Sequence, residues 1–450
     1  MMTPDEVVQA AHKAGLRLIR FLYCDNGGII RGKLTHIEGL ERRLKGGIGL
    51  TVAMQAFNML DHLVPIEGMG PIGEVRIMPD PGTFKILPYA IHSAAMVSDL
   101  LTLDGKPWEA CPRSFLKRMI ARASEHGITI QTSMENEFIL CREQEGKMVP
   151  ADEALCFSTV GMHQMGPVID DMIAAFDGMG IQVDLYHPEY GPGQHEITIC
   201  HAEALTAGDL QIFYRDTVRS VAQDHGLFAS FAPKPFSNLP GNGCHIHCSL
   251  WDPAGKTNLM WSEHDRFHIS ELGYQFMAGI LAHLPALIAI TAPSVNSYRR
   301  IKPHMWASAF AGWGPDNREA AVRVASPFWG QEENSINFEL KSSDPSNNPY
   351  LALGAVIAAG LDGLARQLDP GEPLLVDPCD LSKQELEKRH ILPLPSTLAE
   401  ALDNLEKDDL LKEALGPALT KSYLAVKRSE INAFAAQDVN FELEHHFHIF

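Results

Sequence analysis

The chain has 450 residues, 45% of them hydrophobic and 21% charged, with a formal net charge of -19. These values describe a globular protein long enough for two or three domains and exclude a disordered chain or a fibre. So acidic a chain lacks the basic footprint that phosphate backbones need, so no nucleic-acid binding is expected.

Residues 1–15 show no basic region ahead of an apolar run, so they read as a helix and not as a secretory signal. Thr3 is placed as its N-cap, with Pro4 at the first helical position and Asp5 and Glu6 in the first turn. Residues 16–98 are short strands and turns, with Asp25-Asn26-Gly27-Gly28 as a hairpin turn between strands at 18–22 and 29–33. This predicts a small β-rich N-terminal domain. The sequence Gly68-Met69-Gly70-Pro71-Ile72-Gly73 matches GxGxxG by letter, but the next residues, Glu74 to Met78, read as a strand, so no dinucleotide fold is expected.

A helix is predicted from Pro112 to near Gly127, and strand and helix text then alternate to about Gly363. The Pro-rich residues 370–395 read as a linker, and residues 397–434 return to helix. No run of about 18 uninterrupted apolar residues appears, so no membrane span is expected. Eight cysteines without a CxxC pair fit a reduced, cytoplasmic protein.

Three of the strands carry chemistry. Side chains two apart share a strand face, so in Met134-Glu135-Asn136-Glu137-Phe138 both glutamates point one way. In Cys244-His245-Ile246-His247-Cys248 the histidines share a face and the cysteines lie behind, which makes a zinc site awkward. In Asn337-Phe338-Glu339-Leu340-Lys341 the polar set is again on one side. Such faces are either solvent sides of edge strands or the lining of one polar cavity. Together with the turn Gly193-Gln194-His195-Glu196, three of them favour the cavity. Its oxygen-rich donors, Glu135, Glu137, Glu189, Glu196 and Glu339 with His245, suit two hard cations, Mg²⁺ or Mn²⁺. His445, His446 and His448 read as a packed or exposed tail.

Six ordered motifs give the chain a specific resemblance. They are Met134 to Phe138; His187-Pro188-Glu189 with Gly193 to Glu196; Lys234-Pro235 with Gly241-Asn242-Gly243-Cys244-His245-Ile246-His247; Asn296-Ser297-Tyr298-Arg299-Arg300; Asn317-Arg318 with Arg323; and Phe338-Glu339 with Asn348-Pro349-Tyr350-Leu351. Over nearly its full length the chain resembles the glutamine synthetase superfamily.

The resemblance implies an α+β fold: a β-grasp N-terminal domain at residues 1–105, and a catalytic domain at 106–450 whose curved antiparallel sheet forms a half-barrel backed by helices. It also implies a homo-oligomer of two stacked hexameric rings, with sites completed by neighbouring N-terminal domains. Glu137, Glu189 and Glu196 are expected to hold one Mg²⁺, and Glu135, His245 and Glu339 another, with two to three ions per site. His247, Ser249 and Arg323 are expected at ATP, and Arg318 and Arg323 at the transferring phosphate. Gly241, His245, Arg300 and Lys341 are expected around glutamate. The implied reaction is acyl activation of a carboxylate by ATP, followed by amine attack.

Two departures bear on the amine and one on glutamate. Trp306 stands where glutamine synthetases carry a glutamate six residues after the Arg300 position, and an indole offers no acid or base there. The Asp-Gly-Ser-Ser ammonium loop is absent, its region reading Gln55 to His62, and Glu74 stands where a second ammonium carboxylate is expected. Lys341 replaces an arginine, a point charge in place of a planar fork. A γ-glutamyl amide ligase using an organic amine is therefore the expectation. Glutamine synthesis from ammonia, or a non-catalytic relative, are the alternatives.

Overall fold

The computed structural model describes residues 2–450. Its N-terminal part opens with α1 (Pro4–Lys13), capped as the sequence predicts: the Thr3 hydroxyl accepts the Glu6 N–H, and the Glu6 carboxylate accepts the Thr3 N–H. Then come β1 (Leu18–Cys24), β2 (Ile30–His36), α2 (Leu40–Gly46), β3 (Ile48–Thr51), β4 (Glu74–Pro79), β5 (Lys85–Ile86) and β6 (Ser93–Leu101). The sheet runs β2-β1-β6-β4-β3, with β5 also on β6 and only β1 and β6 parallel. Val7 and Ala11 of α1 are buried with Ile19, Phe21, Ile77 and Met96 of the sheet in one apolar core. At the β1–β2 turn the Asp25 carboxylate accepts the N–H groups of Gly27 and Ile29, and Gly28 adopts the left-handed φ of 86° that favours glycine.

The larger part begins with α3 (Pro112–Glu125), β7 (Thr129–Gln144), β8 (Lys147–Pro150), α4 (Thr159–Gly178), β9 (Val183–Pro188), β10 (Gln194–Ile199), β11 (Ala202–Glu203) and α5 (Ala204–Asp224). It continues through β12 (Phe228–Ser230), β13 (Cys244–Trp251), α6 (Glu271–Thr291), α7 (Ser297–Arg300), β14 (Phe310–Ala311), β15 (Trp313–Pro315) and β16 (Val322–Ala325). After α8 (Glu332–Ser335) and β17 (Asn337–Leu340) the chain is mainly helical: α9 (Pro349–Arg366), α10 (Lys383–Lys388), the short β18 (Leu392–Pro393), α11 (Leu398–Lys407), α12 (Asp409–Leu415), α13 (Pro417–Ala435) and α14 (Val439–Ile449). The main sheet runs β15-β16-β17-β13-β7-β10-β9, with β8, β11 and β12 also on β7, and curves into a nearly closed half-barrel. The fold is thus α+β, as expected.

Helices back the sheet's apolar face. Phe276 of α6 meets Phe338 of β17 with ring centroids 5.9 Å apart. α6 and α9 cross at glycines: a Cβ on Gly279 would lie 2.2 Å from the Ala359 carbonyl oxygen, and one on Gly363 2.1 Å from that of Gln275. By length and composition α6 could cross a membrane, but 67% of that stretch is buried inside the fold. The two parts of the chain are joined by Arg113 of α3, itself 2% exposed, which pairs with Asp80 and Asp99 beside and on the N-terminal sheet and with Asp209 on α5. A buried arginine with three carboxylate partners is satisfied only while both parts stay docked.

Residues 370–395 are not a plain linker. Leu374 and Ile391 are buried with Ala320, Ser382 and Glu385 form a capping box on α10, and β18 pairs with β14. The prolines punctuate this segment, while its spaced apolar side chains fix it to the turn between β15 and β16. The three C-terminal histidines lie on α14, with His446 fully buried. All eight cysteines are unpaired.

Candidate active site

The polar faces predicted from period-two alternation belong to central strands, so they line the concave side of the half-barrel. Across neighbouring strands Glu137 faces Glu196, Glu135 faces His245, His247 faces Glu339, and Glu339 faces Arg323. Behind them Met134, Phe138, Cys244, Cys248, Phe338 and Leu340 are at most 3% exposed. The cysteines therefore belong to the core, as expected.

Two groups of donors converge. Glu135, His245 and Glu339 offer ligand atoms within 4.8 Å of one another, and so do His187, Glu189 and Glu196. Glu137 sits beside the second group; its Oε2 accepts the Gly243 N–H at 2.8 Å and the Gln194 side-chain amide at 2.9 Å. Burial, with Glu189 and Glu196 adding negative charge, pushes the Glu137 carboxyl up to about 8. Burial and Glu196 likewise raise Glu189. Like charges facing each other across a strand pair oppose folding unless a cation joins them. This excess of buried carboxylate fits a hard divalent ion.

The first group has its charge answered by protein. Burial favours the neutral Glu339 carboxyl, but Lys341, His245, His247 and Arg323 outweigh it and hold the group well below the usual carboxylate range. Lys341 Nζ lies 3.2 Å from Glu339 Oε1, and Arg323 Nη1 2.9 Å from Oε2. Burial and Lys341 drive His245 well below its ordinary value, so it is a neutral imidazole able to bind a metal. His247 is opposed by burial but raised to about 9, chiefly by Glu135, whose Oε2 is 3.1 Å from Nε2. Its other nitrogen, Nδ1, is 2.9 Å from Asn337 Oδ1, which orients the ring.

The remaining expected residues lie around this floor. Ser249 shares the face of His245 and His247 on β13, and its hydroxyl accepts the Trp251 indole N–H. Arg300, 5% exposed, donates to the Ser343 carbonyl at 2.7 Å. Gly241 is pressed against it: a Cβ there would lie 2.8 Å from Arg300 Cγ. Glu74 stands apart, on the N-terminal sheet, paired with Arg76 at 2.7 Å.

Residues 2–108 match the family model described as the glutamine synthetase N-terminal domain, and residues 109–446 the one described as the glutamine synthetase catalytic domain. The chain belongs to the glutamine synthetase family. Like the family, it is an ATP-dependent carboxylate–amine ligase. It is 35% identical over 428 residues to the gamma-glutamylpolyamine synthetase of Streptomyces coelicolor, covering 94% of this chain and 91% of that one. It is also 35% identical over 394 residues to a glutamine synthetase of Halobacterium salinarum, covering 86% of each. A solved structure described as a novel glutamine synthase homolog superposes with a TM-score of 0.86 at 33% identity, covering 97% of this chain and 99% of that one. The GmaS/ADP complex gives 0.85 at 29% identity, covering 97% and 98%.

Beside the donors of this glutamine synthetase relative lies a cavity of about 580 Å³, lined by Phe157, Trp306, Arg318, Glu319 and residues 374–377 among others. Trp306 is 63% exposed, and with His304 and Ser308 it is one of three left-handed residues in its loop, at φ 53°, 60° and 62°. Such backbone is uncommon outside glycine and marks a loop held by its surroundings. Phe157 joins the cavity to the donors, its ring edge-on to His187 at 4.9 Å.

Sequence reasoning missed two members of this glutamine synthetase-type site. His187 lies 3.3 Å from Glu189 and 3.5 Å from Glu196, and its spacing of two from Glu189 was the available signal. Gln194 connects Glu137 to the Gly241 carbonyl and to Asn242, a role no spacing announces.

Proposed function

We propose that this ligase activates the γ-carboxylate of glutamate with ATP and couples it to an organic amine, giving a γ-glutamyl amide. The observation that carries the reading is the Trp306 cavity. Where glutamine synthetases place a glutamate, this chain puts an indole beside Phe157, Leu374, Leu375 and Val376. Ammonium is too small to use such a wall, whereas the carbon chain of an organic amine fills it and its cation suits the aromatic faces. The relatives include both a gamma-glutamylpolyamine synthetase and a glutamine synthetase at 35% identity, so the reading rests on the cavity.

Glu137, Glu189 and Glu196 hold one Mg²⁺ or Mn²⁺, and Glu135, His245 and Glu339 the other; when bound, these ions neutralise charge on the phosphate oxygens. Arg318 and Arg323 face the transferring phosphate and stabilise charge that grows as it moves. Arg300, Gly241, His245 and Lys341 hold glutamate so that its γ-carboxylate meets the terminal phosphate in line, while His247, Ser249 and Arg323 position the nucleotide. The γ-carboxylate oxygen bonds to phosphorus as ADP leaves. The amine then attacks the acyl carbon and phosphate departs with the bonding electrons.

The domain boundary falls between residues 105 and 106, and the copies assemble as two stacked hexameric rings in the cytoplasm. In that ring Glu74 of one copy completes the amine side of the next, and light scattering on the purified protein tests the assembly.

The decisive assay is phosphate release from ATP with Mg²⁺, glutamate and, in turn, ammonia, methylamine, isopropylamine, aniline, ethanolamine or a polyamine. Faster release with organic amines is expected. A clear preference for ammonia makes the protein a glutamine synthetase. Absence of turnover and of Mg²⁺-ATP binding makes it a non-catalytic relative.

A further inference from the structure

The turn between β15 and β16 carries a carboxylate that none of these roles uses. Glu319 lines the Trp306 cavity and is 6% exposed. Its Oε1 accepts the main-chain N–H of Trp306 at 2.8 Å, while its buried Oε2 has no hydrogen-bond partner. An unpartnered buried oxygen in a cavity wall is rare and points to a missing ligand.

The frame around it is fixed. The Glu319 N–H donates to Asn317 Oδ1 at 3.0 Å, and the Asn317 amide donates to the carbonyls of Leu374 at 2.9 Å and Val376 at 3.0 Å. The Ser308 hydroxyl donates to the Ala320 carbonyl at 2.8 Å, tying the Trp306 loop to the same turn. The charged groups around Glu319 are Asp377, His304 and Lys341, with Arg318 adjacent in the chain; among the described residues none forms an ion pair with it. Burial, with Asp377, raises the Glu319 carboxyl against the opposing Trp306 N–H, His304 and Lys341, as suits a group that takes a proton.

From this geometry we infer that Glu319 is the base for the amine: its free oxygen binds the substrate's ammonium beneath the Trp306 loop and removes one proton. The inference rests on the proposed function and supplies the acid–base group that Trp306 cannot. As the substrate N–H bond breaks, an O–H bond forms on Glu319, and the nitrogen keeps the electron pair. That pair forms the C–N bond; the acyl C–O bond breaks, its electrons leave with phosphate, and the second nitrogen proton passes to the departing phosphate. Glu319 returns its proton to solvent after the amide leaves. Phe157, Trp306 and Val376 take the carbon substituent.

Glu319→Gln keeps an acceptor for the Trp306 N–H but removes the base. Wild type and variant are compared with methylamine or ethanolamine, which are ammonium ions at neutral pH as a lysine side chain is, and with hydroxylamine, which is mostly neutral. The expected result is a fall in kcat/KM of ~10²-fold or more with the alkylamines, partly recovered as pH rises, against less than about tenfold with hydroxylamine. Glu319→Asp, which keeps a carboxylate, should recover part of the alkylamine rate. Equal losses for both nucleophiles, unimpaired alkylamine turnover in Glu319→Gln, or no gain in Glu319→Asp would overturn the inference. A wild-type enzyme that makes no amide from any amine overturns instead the function on which it rests.

Discussion

A single methyl group at Gly243 would disturb both donor groups at once. A Cβ there would lie 2.7 Å from His245 Nε2, closer than real Cβ contacts come, and 3.2 Å from Glu137 Oε1, a tight contact that the carboxylate must yield to. Gly243→Ala is therefore expected to keep the fold and to weaken Mg²⁺ binding by about 10–100-fold. The measure is the Mg²⁺ concentration needed to raise the melting temperature; an unchanged requirement would show that these donors do not hold the ion. Single residues are also where sequence reading was uneven. Glu135, Glu137, His245 and Glu339 were legible because a strand face repeats every two residues. Gln194 and Glu319 were not, because their significance lies in partners, or the lack of one, that chain spacing does not encode. Trp306 stood out only as a departure from a family pattern; that it lines a cavity with Phe157 is a tertiary fact.

At the scale of elements, strands and capped helices were readable and the segment 370–395 was not. Its prolines obscured a buried Leu374 and a strand pair whose partner lies some 80 residues earlier in the chain. The helical layer also contains a charge device. His283 of α6 sits between Asp408, the N-cap of α12, at 2.6 Å, and Asp362 of α9 at 3.0 Å. Burial opposes its charge, but the two carboxylates prevail and raise it above its ordinary value near 6.5. A raised histidine contributes stability that is complete below the unfolded value and fades as pH climbs through the folded one. His283→Asn should cost on the order of 2–3 kcal/mol in acid-neutral solution, and less as the pH turns alkaline. Urea unfolding of both proteins across that range checks this. A difference constant with pH would mean that folding leaves the titration of His283 unshifted.

For the whole molecule, Arg113 holds the N-terminal sheet to the catalytic half-barrel, and the concave face carries the donors. The surface retains large exposed apolar side chains, among them Trp329 at 97% and Ile72 at 88%. The similarities to a polyamine-using relative and to a glutamine synthetase stand at the same 35% identity, so global likeness does not choose the nucleophile. The proposed choice of an organic amine rests on the Trp306 cavity. The most direct measurement is a competition: ammonia and an organic amine at equal concentration in one reaction with ATP, Mg²⁺ and glutamate, the ratio of γ-glutamyl amide to glutamine read by mass spectrometry. Excess amide from the wild type, with the ratio moving toward glutamine in Trp306→Glu, is the predicted result. Glutamine as the main product of the wild type would contradict it.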